Sequence, residues 1–239
     1  MTILALENIS KSFGALKVAD NISLSGAQGE TLGILGPNGA GKTTLFNLIS
    51  GDLHAERGRV LLGGEDISSQ APHRRCRLGI GRSYQIPQPF GAMTVFENLV
   101  AAASFGAQLR EPDTYGRCVE ILRETGLLPK ADRLAGSLTL LDRKRLELAR
   151  ALATQPKVLL LDEIAGGLTE HEAVELVEEI RRIKAQGITL IWIEHVVHAL
   201  LAVADRLFVI NFGQKLAEGL PTAVMEDSEV RRVYMGLEV

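Results

Sequence analysis

The segment Gly33–Gly51, "GILGPNGAGKTTLFNLISG", decides how the rest of the chain is read. An apolar run leads into it, glycines punctuate its middle, and a helix-forming run leaves it. Gly36 to Thr43 spell GxxxxGK[ST], a P-loop pattern in which main-chain N–H groups curl around phosphate oxygens at the positive end of the following helix. Glycine suits this turn because the backbone has to bend sharply and approach the phosphate closely. Lys42 adds a point charge for the terminal phosphates, and Thr43 offers a hydroxyl to magnesium. The candidate phosphate-binding residues are Gly36, Pro37, Asn38, Gly39, Ala40, Gly41, Lys42, Thr43 and Thr44.

Two further apolar runs end in polar groups. "VLLLDE", Val158 to Glu163, reads as a strand buried on both faces whose carboxyl edge delivers acids into a crevice. Beside a P-loop, Asp162 is placed to hold magnesium through water, and Glu163 to orient or deprotonate an attacking water. Alone, the same pair could simply end the strand and start a helix. "ITLIWIEH" ends in His195. Ligand sites in doubly wound sheets gather beyond the carboxyl ends of the strands, so the P-loop, Glu163 and His195 are expected to converge there. His195 and His198 also fit HxxH metal spacing, but no further ligand cluster accompanies them.

The chain of 239 residues is 46% hydrophobic, enough for one large domain or a domain with an inserted subdomain. Its net charge of -3, with both signs mixed along the chain, argues against nucleic-acid binding through phosphate neutralisation. Cys76 and Cys118 lie far apart, which suits reduced thiols. No apolar run reaches the roughly 18 residues of a membrane-spanning helix, and no basic-then-apolar leader is visible, so a cytoplasmic chain is expected.

Short runs such as "ILALENI", "KVADNISLS" and "GRVLLGGEDI" have strand and turn texture. After about residue 86, "TVFENLVAAASFG", "YGRCVEILRETG" and "DRKRLELARALA" show helical spacing; strand-like runs then return, separated by "TEHEAVELVEEIRRIKAQG". Alternating strands and helices predict an α/β fold with a mostly parallel sheet and a helical subdomain inserted near residues 86–150.

Taken in order, "GPNGAGKT", "RSYQ", "RKRLELARALATQPKVLLLDE" and "LIWIEH" resemble an ATP-binding cassette (ABC) ATPase over nearly the whole chain. "RSYQIPQPFGAMTVFENL" and the tail "LAEGLPTAVMEDSEVRRVYMGLEV" look like the ATPase subunits of bacterial importers for branched-chain amino acids and related small polar solutes. The resemblance implies a P-loop core with an N-terminal antiparallel β subdomain (residues 1–85 and 151–239) and a helical signature subdomain (86–150). ATP and Mg2+ are its implied cofactors. Phe13 matches the aromatic that stacks on adenine, with a strand-core role as the alternative. Gln85 matches the glutamine that touches magnesium and senses the transport subunit; His195 matches the switch histidine on the γ-phosphate. Lys42, Gln85, Glu163 and His195 form the implied catalytic set, with Thr43, Gln85 and Asp162 on the metal. Ile86 to Leu99 matches the region that receives a coupling helix, while "VFENLVAAASF" is either docking surface or an ordinary packed helix.

In such a family, two subunits pair head to tail and each signature segment, usually LSGGQ, grips the partner's ATP. Here "LTLLD", Leu138 to Asp142, stands in that place. Thr139 keeps the hydroxyl, Leu140 and Leu141 add bulk, and Asp142 is expected to bring negative charge toward phosphate, although a carboxylate early in a helix favours the helix itself. An asymmetric heterodimer with one weakened site is therefore expected, a homodimer being the alternative. Membrane permease subunits and, indirectly, a solute-binding protein are the other implied partners, placing the chain peripherally at the cytoplasmic face of the inner membrane. Ile164 replaces a usual proline, and Thr169 stands where Asp or Asn is common and is either an inter-subunit residue or a helix cap. A lipopolysaccharide exporter ATPase and a soluble regulatory ABC protein are the competing readings.

Overall fold

The computed structural model describes residues 1–235; the last residues of the importer-like tail, 236–239, lie outside the described residues. The chain opens with β1 (Thr2–Phe13), β2 (Leu16–Ala27) and β3 (Thr31–Leu35), and the P-loop then leads into α1 (Lys42–Ser50). β4 (Arg57–Leu62), β5 (Glu65–Asp66), α2 (Pro72–Leu78) and β6 (Ile80–Arg82) follow. The helical segment holds α3 (Val95–Ala102), continued by a π turn at Ala103–Ala107, α4 (Glu111–Glu124) and α5 (Leu140–Ala153). The chain then returns through β7 (Val158–Asp162), α6 (Glu170–Ala185), β8 (Thr189–Ile193), α7 (Val197–Leu201), β9 (Arg206–Asn211) and β10 (Gln214–Gly219) to α8 (Pro221–Glu226) and α9 (Ser228–Met235).

Two sheets form. β2-β1-β4-β5 is antiparallel, and β10-β9-β3-β8-β7-β6 is parallel apart from the β9–β10 hairpin. One antiparallel sheet near the N-terminus and one mostly parallel sheet are what the sequence led us to expect. β6 and β10 carry no strong periodic signal, because β6 has only three residues and β10 has no fully buried position.

β3, β7 and β8 are buried at every position because each face of the large sheet is covered. Strand alternation sorts the side chains into two cores. Val158, Leu160, Ile191, Ile193, Phe208 and Ile210 pack with α1 and the antiparallel sheet. Leu159, Leu161, Leu190, Trp192, Leu207 and Val209 pack with the helices, and that second core runs on without a break into Val95, Leu99, Cys118, Ile121 and Leu146 of α3–α5. The inserted helices are thus fastened to the sheet by shared apolar burial. "VFENLVAAASF" is mainly a packed helix, with Val95, Leu99 and Ala103 fully buried while Phe105 is exposed. Cys76 and Cys118 are free thiols, and burial pushes Cys118 up to about 11.

Local chemistry sets the helix ends. Thr169 and Glu172 form a reciprocal capping box at α6, so the cap reading of Thr169 describes its side chain. Ala173, Leu176, Val177, Ile180 and Ile183 then give the apolar stripe that holds α6 to the sheet. At the other end of the P-loop helix, Arg75 is 1% exposed and donates to the carbonyls of Leu48 (2.6 Å), Ile49 (2.9 Å), Ser68 (2.7 Å) and Gln70 (2.9 Å). It thereby satisfies the last-turn carbonyls that α1 leaves without intrahelical partners.

Candidate active site

β3, β8, β7 and β6 are parallel neighbours, so their carboxyl ends open on one rim of the sheet. The P-loop leaves β3, Glu163 follows β7, His195 follows β8 and Gln85 follows β6. Their separation in sequence is large, yet the parallel order makes them adjacent.

The P-loop is closely packed on its outer side. A Cβ on Gly36 would lie 2.3 Å from the Ile210 carbonyl oxygen, and one on Gly41 would lie 2.3 Å from that of Val18. Gly41 also sits at φ +106, a left-handed conformation that glycine adopts without penalty, so the loop can turn directly into α1. The same packing seats the β1–β2 hairpin against the loop. Phe13, on that hairpin, is 50% exposed with the Lys11 ammonium 5.6 Å from its ring, so it is not a strand-core residue. Lys42 curls back into the loop, its Nζ donating to the carbonyls of Gly36 (2.6 Å) and Pro37 (3.0 Å). Burial pushes the Lys42 ammonium below its ordinary value, against the pull of Glu163 and Asp162. Asn38, Gly39 and Thr43 are exposed along the loop.

Glu163 is the meeting point. Its Oε1 lies 2.7 Å from His195 Nε2, and its Oε2 accepts from the Gln85 side-chain amide. Its backbone stands at φ +47, a conformation uncommon for a residue with a side chain, which swings the carboxylate from the line of β7. Asp162 faces the other way. Oδ2 pairs with Arg82 Nη2 at 3.0 Å, while the buried Oδ1 has no hydrogen-bond partner. Burial raises the Asp162 carboxyl above the usual carboxylate range, with Arg82 opposing. Thr43, Gln85 and Asp162 line one cavity of about 570 Å³ together with Arg82, Tyr84 and Glu147. An orphaned, buried carboxylate oxygen beside a hydroxyl and an amide is a donor set of oxygens suited to a hard divalent cation.

A family profile described as ABC transporter matches residues 19–166. The chain belongs to the ABC transporter family of ATPases. The lipopolysaccharide export ATP-binding protein LptB of Haemophilus influenzae is 36% identical over 99% of this chain and 98% of its own. The high-affinity branched-chain amino acid transport ATP-binding protein LivG of Escherichia coli (strain K12) is 34% identical over 98% of each. Among solved structures, a nucleotide-free ATP-binding cassette from an ABC transporter aligns at TM-score 0.89 with 35% identity, covering 99% of this chain and all of its own. The ADP conformation of an ATP-binding cassette gives the same values.

This ABC ATPase is therefore an ATP hydrolase. Among its described residues no helix is long and apolar enough to cross a membrane. Its signature segment differs in detail from the sequence expectation. Thr139 caps α5, accepting from Asp142 N at 3.3 Å. Asp142 does not project a free negative charge: it is 4% exposed, and its Oδ2 accepts from Lys130 Nζ (2.5 Å) and Thr139 Oγ1 (2.9 Å). Leu138 is buried in the helical core and Leu141 is turned inward, leaving Leu140, at 45% exposure, as the bulky group on the surface. The Asp142 carboxylate is thus engaged at the helix start, between the Thr139 cap and Lys130.

Sequence reasoning missed Arg82, which ties Asp162 to Asp52 (3.1 Å) and to Asn47 (2.7 Å), and whose guanidinium lies 4.7 Å from the Tyr84 ring centre. It also missed Glu194 and Lys144, both buried beneath the site. Their only sequence signal is charge inside an otherwise packed strand end and helix.

Lys42→Ala removes the ammonium from the phosphate cradle and exposes two carbonyls that it occupies. ATP affinity is expected to fall by about 2–4 kcal/mol, the usual cost of deleting one partner of a desolvated charge contact. Calorimetric titration with ATP checks this, with unchanged affinity excluding Lys42 from the phosphate site.

Proposed function

We propose that this chain is the ATP-binding and hydrolysing subunit of a membrane importer for branched-chain amino acids or related small polar solutes. The observation that carries the hydrolytic part is the Glu163 carboxylate held between Gln85 and His195 on the rim next to the P-loop. The P-loop N–H groups and Lys42 bind the ATP phosphates, and Phe13 stacks on adenine. Glu163 accepts the proton of a water as its oxygen bonds to the γ-phosphorus and the bond to ADP breaks. His195 fixes the second face of the Glu163 carboxylate and reaches the γ-phosphate. Thr43, Gln85 and Asp162 would hold Mg2+, which supplies charge neutralisation on the phosphates.

The chain pairs head to tail with a second ATPase subunit, peripherally at the cytoplasmic face of the inner membrane, and Leu138, Thr139 and Asp142 stand in the segment that meets the partner's ATP. Permease subunits dock near Gln85 and the exposed Tyr84, Ile86 and Phe90. A heterodimer fits the segment best, since Leu140 occupies surface where close backbone approach is wanted. Asp142 contributes through α5 rather than through repulsion.

Alone, the chain is expected to hydrolyse ATP slowly, and adding its cognate partner is expected to raise the rate. Replacing the exposed Leu140 by glycine raises the rate of the chain alone, whereas Asp142→Gln leaves it low and lowers unfolding free energy by about 1–3 kcal/mol through the orphaned cap and Lys130 partners. High activity alone, indifferent to Leu140→Gly, would falsify the heterodimer.

Export is the second reading, favoured by the 36% identity to LptB. Isolation of the intact membrane assembly separates the two: a periplasmic solute-binding protein that stimulates ATP hydrolysis supports import, and stimulation by lipopolysaccharide supports export.

A further inference from the structure

The chain leaves the nucleotide rim at Gln85, traverses the helical segment, and returns through α5. At the junction of exit and return lies Lys144, 3% exposed. Its Nζ donates to two main-chain carbonyls, that of Gln85 at 2.9 Å and that of Glu163 at 3.2 Å. Those two residues are 78 positions apart in sequence, and the Gln85–Glu163 side-chain bond and this ammonium both join them.

The carbonyl of Glu163 is where the left-handed turn has to be secured. Glu163 N donates to Ile193 O (2.9 Å), and its carbonyl accepts from Gly166 N (3.3 Å) as well as from Lys144. Below it, buried Glu194 accepts from the amides of Ala165 and His195, both at 3.2 Å, and from Trp192 Nε1 at 3.3 Å. Burial pushes the Lys144 ammonium below its ordinary value, against the pull of Glu194, Glu163 and Asp162. A left-handed glutamate is strained and persists only where its neighbours over-determine it.

We propose that Lys144 is a positioning residue for hydrolysis, tying the helix that carries the signature segment to the main chain of Gln85 and Glu163, so that turnover depends on its ammonium while ATP affinity does not. This rests on the reading of Glu163 as the group that activates water. Lys144 itself touches no nucleotide. It acts by fixing where the carboxylate stands and by coupling that position to α5, the helix that starts at the signature segment.

The test compares Lys144→Met, Lys144→Gln and Lys144→Arg with Glu163→Gln in the full chain assembled with its transporter partners. Lys144→Met is expected to lower kcat by about 10- to 100-fold, the scale of an ångström-level misplacement, with the ATP dissociation constant held within about 2-fold. Lys144→Arg, which keeps charge and donors, restores most of the rate. Amide exchange at residues 85–86 and 163–165 accelerates in the methionine variant and not in the arginine one. Wild-type turnover in Lys144→Met overturns the proposal, as does a parallel loss of kcat, ATP affinity and melting temperature that arginine fails to rescue. If methionine is not tolerated, Lys144→Gln carries the same comparison. Retained turnover in Glu163→Gln would instead sink the reading on which the proposal stands.

Discussion

Glu163→Gln is expected to lower single-turnover ATP hydrolysis by about 10²- to 10⁴-fold, the range associated with a general base. The substitution is nearly isosteric, so the left-handed turn, the packing of β7 and the bond from Gln85 can all persist. The lost property is the ability to take a proton. ATP binding depends on the P-loop and Lys42, whose ammonium is held by Gly36 and Pro37 and not by Glu163. Affinity measured by calorimetry should therefore stay within about 3-fold, giving the signature of an interaction used only in the transition state. A variant that hydrolyses ATP at near the wild-type rate would remove Glu163 from the chemistry and leave His195 as the candidate.

Arg75→Ala is expected to cost about 2–5 kcal/mol of folding stability, read from the urea midpoint at unchanged slope. The guanidinium fills a space lined by four main-chain carbonyls, two of them in the last turn of α1. Alanine leaves those acceptors buried and without partners. It also leaves a void next to Gly51, where even a Cβ would stand 2.8 Å from Arg75 Nε. Because α1 begins at the P-loop, ATP affinity should weaken along with stability. A loss below about 0.5 kcal/mol, the usual scale of a surface substitution, would show that water or another side chain replaces the guanidinium.

The candidate site was legible where its chemistry is written in contiguous residues. "GPNGAGKT" fixes a phosphate loop because glycine spacing, lysine and threonine must occur together for the backbone to cradle an anion. "VLLLDE" and "ITLIWIEH" could be placed on the rim because strands buried on both faces read as unbroken apolar runs. The importer-like cues could not separate LivG from LptB, since both relatives resemble the chain at nearly equal identity over its whole length.

Asp142 shows where sequence reasoning failed. Its charge was legible, its direction was not, because Lys130 arrives from a separate turn to claim it. Arg82 and Lys144 were missed for the same reason. A buried cation is recognisable only from its acceptors, and those acceptors come from distant segments.

By itself the sequence determined that a phosphate loop, a carboxylate-ended strand and a histidine-ended strand exist, that they alternate with helices, and that their parallel order gathers them on one edge. The tertiary structure alone decided which groups touch: Glu163 between Gln85 and His195, Asp162 against Arg82 with one oxygen left over, Asp142 turned inward, and Lys144 beneath them. Periodicity and turn chemistry are local and survive in a one-dimensional reading, whereas hydrogen-bond partners are chosen by the crossovers that bring residues 30 to 80 positions apart within 3 Å.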